Sequence, residues 1–179
     1  MSFQVGDAGV LPPGLKHFDG VVSGLVLNFI PDKEEGLNQM VGAARPGGTV
    51  AAYVWDYAEG MELIRRFWDI ASEVDPNAQH FDEGRRESIC NPDALTALFS
   101  RALTNVRMTE LVIPTVFVDF EDYWTPFLAG VGSAPSYVAS LDDRSRDQLR
   151  ETLKAQLPIA TDGSIQLTAR AWAIRGLVE

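Results

Sequence analysis

This sequence predicts an α/β domain: a sheet of mainly parallel strands covered by helices. Two observations lead there. β-rich apolar runs alternate with segments whose apolar residues recur at helical spacing. One run, Phe18 to Leu27 (FDGVVSGLVL), is apolar almost without a break, the pattern of a strand buried on both faces of a parallel sheet.

The elements follow in order. Phe3 to Val5 reads as a short strand ending at Gly6-Asp7, and Pro12, Pro13 and Gly14 then break the chain. Phe18 to Leu27 is the second strand. Pro31-Asp32 opens a helix with Leu37, Met40 and Val41 at helical spacing. Arg45-Pro46-Gly47-Gly48 stops it, because proline cannot continue a helix and glycine permits the reversal. Thr49 to Trp55 (TVAAYVW) is the next strand. Gly60 to Val74 is helical, with an apolar stripe of Met61, Ile64, Phe67, Trp68 and Ala71. Asp75 to Ser88 is polar and reads as a loop. Asn91 then caps a helix that has Pro92 in its first turn and Leu95, Leu98 and Phe99 inside. Val106 to Val118 is a strand in which Pro114 marks an edge or an end. Phe120 to Leu128, Ser136 to Leu141 and Asp142 to Gln156 are helical, so 119–163 forms a helical insertion or cap. Asp162-Gly163 turns the chain into a last strand, Ser164 to Val178, with Ile165, Leu167, Ala169, Ala171 and Ala173 in alternation. The last two strands are compatible with an antiparallel pair at one side of the sheet.

Bulk properties narrow the function. The 179 residues suit one compact domain. A formal net charge of -10 repels phosphate backbones and anionic lipid alike, so nucleic acid and membranes are not expected as partners. The longest apolar stretch, Val21 to Ile30, falls far short of the roughly 20 residues of a membrane span. No basic region followed by an apolar block opens the chain, and the default expectation is a cytoplasmic protein. One cysteine, Cys90, excludes an internal disulfide and reads as structural. No two histidines or cysteines stand at ligand spacing, so no metal is expected.

Three short motifs then line up: Gly6-Asp7-Ala8, Phe18-Asp19-Gly20-Val21-Val22-Ser23, and Arg45-Pro46-Gly47-Gly48-Thr49-Val50. In this order and spacing they resemble the latter two-thirds of a class I S-adenosylmethionine-dependent methyltransferase, in the branch similar to ubiquinone- and menaquinone-biosynthesis methyltransferases. The first 56 residues carry the resemblance. It implies a partial Rossmann-like methyltransferase sheet, strands 3 to 7 of a family order 3-2-1-4-5-7-6 with strand 7 antiparallel. Phe3 to Val5 is then strand 3, Phe18 to Leu27 strand 4, Thr49 to Trp55 strand 5, Val106 to Val118 strand 6 and Ile165 to Val178 strand 7. Residues 1–179 make a single partial domain with 119–163 as its cap.

The same resemblance implies the site. Asp7 accepts a hydrogen bond from the adenine amino group of S-adenosylmethionine, and the Ala8 N–H meets the adenine ring nitrogen. Ser23, at the carboxyl end of its strand, contacts the methionine part, with Asn28 close behind. Ser23 and Gly24 read equally well as small residues that permit close packing. Trp55, Asp56 and Tyr57 face the ligand edge, and Trp68, Tyr123, Trp124 and Phe127 are candidate walls of an acceptor pocket; aromatics at this spacing also build cores. His80 is a candidate base in a polar loop. No catalytic residue is assigned, because methyl transfer chiefly needs alignment and exclusion of water. Arg45-Pro46-Gly47-Gly48 reads as structural. Asp7, Ser23 and Gly47-Gly48 are expected along one shared rim.

A family member opens with a glycine-rich segment that grips the cofactor, and no G-x-G-x-G occurs here. The expectation is an N-terminally truncated chain that binds cofactor weakly or not at all, with strand 4 left as a sheet edge. That edge implies a homo-oligomer or a strand-swapped dimer through 19–27. Three readings stay open: a methyltransferase acting on a small-molecule acceptor, a non-catalytic truncated module that self-associates, and a small-molecule binding domain built on the aromatic cap.

Overall fold

A computed structural model describes residues 5–12, 14–86, 89–129 and 131–179. The strands are β1 (Phe18–Gly24), β2 (Ala44–Trp55), β3 (Thr104–Phe117) and β4 (Ile165–Leu177). The helices are α1 (Lys33–Ala43), α2 (Glu62–Val74), α3 (Pro92–Phe99), α4 (Phe120–Ala129), α5 (Ser133–Ser140) and α6 (Asp143–Gln156). The four strands form one mixed sheet in the order β1-β2-β4-β3. β1 and β2 run parallel, and β2 and β4 antiparallel. A parallel pair needs a crossover, and α1 supplies it. No helix among the described residues is long and apolar enough to cross a membrane.

The chain divides into two compact units: Met1–Trp55 with Ser88–Leu111 and Ala171–Glu179, and Asp56–Glu87 with Val112–Arg170. In the first, α1 packs on β1 and β2. Asp32 caps α1 by accepting from the Glu35 N–H, and Glu34 and Glu35 suit the positive end of the helix dipole. Asn91 caps α3 in the same way, through Ala94 N–H, with Pro92 in the first turn. Val50, Ala52 and Val54 are sealed together with Leu37, Met40, Leu95, Leu98 and Phe99 in this unit's core. The alternate positions of β2, Thr49, Ala51, Tyr53 and Trp55, are partly or fully open.

Three strand expectations change. Phe3 and Gln4 lie outside the described residues, and Val5 is fully exposed and outside any strand. β1 stops at Gly24 rather than Leu27: Leu25 takes a positive φ of 58° and Leu27–Phe29 winds into a 3-10 turn. Nor is β1 buried on both faces. Among the described residues only β2 flanks it, and Val22 is 66% exposed. β2 begins at Ala44, so Arg45-Pro46-Gly47-Gly48 is absorbed as a bulge opposite Asp19 rather than standing as a separate turn. Gly47 has φ +71°, and a Cβ on Gly48 would lie 2.8 Å from the Arg45 carbonyl oxygen, so glycine is needed at both positions.

The second unit is built on an aromatic core. α2 directs Phe67, Trp68, Ile70 and Ala71 inward at helical spacing. Phe67 stacks on Phe127 at 4.4 Å between ring centroids and meets Trp68 edge-on at 4.9 Å. Tyr123, Trp124, Tyr137, Leu149, Leu153 and Leu157 from α4 to α6 and beyond complete the core with Ile165 and Leu167.

Candidate functional site

In the first unit, the segment before β1 is folded on itself. Asp7 Oδ1 accepts from the Gly9 N–H at 2.8 Å, and the Asp7 carbonyl accepts from the Val10 N–H. The next turn is tied to α1, where Gln39 Oε1 accepts from the Leu11 N–H. Gly9 lies against Ile30, just beyond the carboxyl end of β1. A cavity of about 250 Å³ opens here, lined by Val5, Gly6, Asp7, Ala8, Leu11, Pro12 and Leu15. Its wall is apolar apart from the Asp7 carboxylate and the backbone. Asp7 Oδ2 and the Ala8 N–H bond to nothing else among the described residues. One acceptor and one donor on adjacent residues thus remain available.

Asp7 and Ala8 are therefore brought together. Ser23 and Asn28 are not part of this cavity wall. Ser23, next to last in β1, pairs with Ala52, and its Oγ is buried without a hydrogen-bond partner among the described residues. Asn28 sits half-buried in the 3-10 turn that follows. The Tyr53 hydroxyl lies over Gly24, where a Cβ would come within 2.5 Å of it. Gly47 and Gly48 do not share this rim. Gly48 lies beside Phe18 at the amino end of β1, and Ser23 pairs four residues further along β2, about 13 Å away at 3.3 Å per residue.

The second unit holds the remaining candidates. Trp68, Tyr123 and Trp124, expected as pocket walls, are enclosed in the core, as is Phe127. Their surface is spent on one another: helical spacing marks an inward stripe, and here the stripe meets α4 to α6. The Trp68 indole N–H donates to Glu83 Oε2 at 2.7 Å, and the Tyr123 hydroxyl to the Leu63 carbonyl. Burial raises the Tyr123 pKa, so its hydroxyl stays protonated. His80 ends a 3-10 turn and is exposed. The Tyr57 carbonyl accepts from Arg65. Trp55, in the first unit, is half-buried at the end of β2, paired with Ala171.

Two ionic clusters here were not foreseen. Asp82, 2% exposed, accepts both Arg65 nitrogens at 3.0 and 2.8 Å, Arg85 Nε at 3.2 Å and the Gly84 N–H. Asp56 Oδ2 accepts from Arg170 Nε and Nη2 at 2.9 and 2.6 Å. A groove of about 300 Å³ runs along the first cluster, lined by Ala58, Glu59, Arg65, Asp69, Asp82, Gly84 and Arg85. Burial raises the Glu83 pKa above its ordinary value, and neighbouring Asp82 adds to this. Burial likewise pushes the Tyr137 hydroxyl, which donates to Asp75, up to about 12. Asp56 directly follows β2 and Arg170 lies inside β4; the charge within that apolar strand was the one available signal.

No family model and no curated protein matches this chain. Its fold does match solved structures. The YcgJ protein of Bacillus subtilis aligns with TM-score 0.54 and 15% identity, over 99% of this chain and 70% of that one. A candidate methyltransferase of Bacillus halodurans gives 0.51 and 10%, over 96% and 69%. A candidate methyltransferase from an antibiotic biosynthesis pathway of Anabaena variabilis gives 0.51 and 18%, over 98% and 72%. At such identities the likeness establishes a shared methyltransferase-like α/β fold.

Proposed function

We propose that the chain is an S-adenosylmethionine-dependent methyltransferase module acting on a small-molecule acceptor. A fold alone does not specify chemistry, so the site carries the proposal. The carrying observation is the small cavity that presents the Asp7 carboxylate and the Ala8 N–H beside the carboxyl end of β1. Ligands of open α/β sheets bind at that end of the strands. An adenine needs one acceptor for its amino group and one donor for its ring nitrogen, and these two residues offer both. The cavity is smaller than the roughly 300–1,000 Å³ of sites that enclose a whole drug-sized ligand, and suits a base. The orphaned Ser23 Oγ supplies a further polar group at the strand end.

Topology supports the same reading. The order β1-β2-β4-β3, with β4 antiparallel to β2, is the order the resemblance implies for strands 4, 5, 7 and 6, which supports the reading. The bound cofactor supplies an electrophilic sulfonium methyl group. With the cofactor bound, Asp7 and Ala8 would hold the base, and Leu11, Pro12 and Leu15 would exclude water from it.

Calorimetry of the whole chain with S-adenosylmethionine and S-adenosylhomocysteine tests this. Asp7→Asn keeps an oxygen for the Gly9 N–H but turns the free oxygen into a donor that opposes the adenine amino group. The expected result is binding that Asp7→Asn weakens at least about tenfold, the effect of one charge-assisted hydrogen bond. No heat at millimolar ligand, or equal affinity in the variant, overturns the proposal. Heat without turnover across a panel of small acceptors identifies a binding module instead of an enzyme.

A further inference from the structure

The sheet has two edges, and they are protected differently. β3 carries Arg107, Glu110 and Pro114, residues that discourage a second chain from adding on. β1 (FDGVVSG) has one charge, Asp19, and Arg45 Nε neutralises it at 2.7 Å. It has no proline. The outward backbone groups of β1 have no partner among the described residues. Its open face is apolar: Phe18 is 45% exposed and Val22 66%, with glycines at 20 and 24 between and beyond them. An unguarded apolar edge next to a parallel strand is a template for pairing.

We propose that this edge is a homodimer interface in which β1 pairs antiparallel with β1 of a second copy, about a two-fold axis at Val21. The occupant is a second copy because the strand is complementary to itself in that register. Phe18 falls opposite Gly24, and Val22 opposite Gly20, so each exposed bulky side chain meets a gap. Asp19 falls opposite Ser23. The two aspartates are then four residues apart, about 13 Å, beyond the roughly 8–10 Å screening length, and each already has its arginine. Two chains of net charge -10 thus meet through a patch that is neutral overall. The two-fold arrangement is closed, so association stops at the dimer. It also brings Asp19 of the second copy to the carboxyl end of β1, next to Ser23.

Sedimentation equilibrium on the full chain tests the proposal. The expected species is a concentration-dependent dimer of twice the 19.6 kDa chain mass. Val22→Lys raises the dimer dissociation constant at least about tenfold, whereas Val116→Lys, at a 59% exposed position on the other edge, leaves it unchanged. Val21→Cys gives an intermolecular disulfide on mild oxidation, because directly opposed residues have Cα atoms about 4.5–5.5 Å apart. Cys90 is buried and does not compete. Circular dichroism confirms that the variants keep the native spectrum. A monomer at all concentrations, a dimer unaffected by Val22→Lys or dissociated by Val116→Lys, or a Val21→Cys chain that fails to cross-link each overturns the proposal.

Discussion

Removing the Asp82 carboxylate is expected to be the most costly single change in the second unit outside its aromatic core. Asp82→Ala leaves the Arg65 guanidinium, 13% exposed, without its two-pronged partner. Stripping one member from a largely buried pair costs about 3–5 kcal/mol, since the other charge stays desolvated. Arg85 binds the same carboxylate but is 56% exposed, so Arg85→Ala should cost no more than about 1 kcal/mol. For a chain of this length 1 kcal/mol corresponds to about 2–4 °C, so Asp82→Ala should lower Tm by roughly 6–20 °C and Arg85→Ala by a few degrees at most. The double variant Asp82→Ala/Arg65→Met removes the stranded charge and should recover at least about 1 kcal/mol over Asp82→Ala. Urea denaturation followed by circular dichroism and tryptophan fluorescence measures all three. If Asp82→Ala costs no more than Arg85→Ala, or the double variant is worse than Asp82→Ala, burial does not set the strength of this pair.

Three further outcomes are expected. Glu83 has a pKa raised by burial above its ordinary 4.5, so the folded state holds its proton more tightly than the unfolded state does. Its contribution is most favourable below that ordinary value and is lost as pH rises through the raised one; Glu83→Gln, which can still accept from Trp68, should raise Tm at pH 7 and flatten its fall with pH in thermal scans at pH 4 to 7. Gly47→Ala forces an L side chain to φ +71° and should cost about 1–2 kcal/mol by chemical denaturation. Phe67→Ala removes a fully buried ring stacked on Phe127 and should cost about 3–5 kcal/mol, with loss of near-ultraviolet circular dichroism from the aromatic cluster.

Much of the local structure was legible in the chain itself. Asn91 read as a helix cap and Pro31-Asp32 as a helix opening, and both Asn91 and Asp32 act as caps, because an N-cap needs only a short polar side chain within three residues of its target. The stripe from Ile64 through Phe67, Trp68 and Ala71 read as an inward helix face. Gly47-Gly48 read as a structural device and is one. These signals depend on neighbours a few residues away.

What the tertiary structure decided depends on distant neighbours. The spacing that marks Trp68, Tyr123 and Trp124 as inward cannot distinguish a pocket wall from a sealed core; packing among α2, α4, α5 and α6 made them core. An apolar run identifies β1 as a strand, but only the sheet order makes it an edge with Val22 in solvent. Arg65 finds Asp82 across 17 residues and Asp56 finds Arg170 across 114, separations over which sequence carries no pairing signal. Periodicity and capping are written into the chain because they are short-range. Burial, edge status and ion pairing belong to the surfaces that folding brings together.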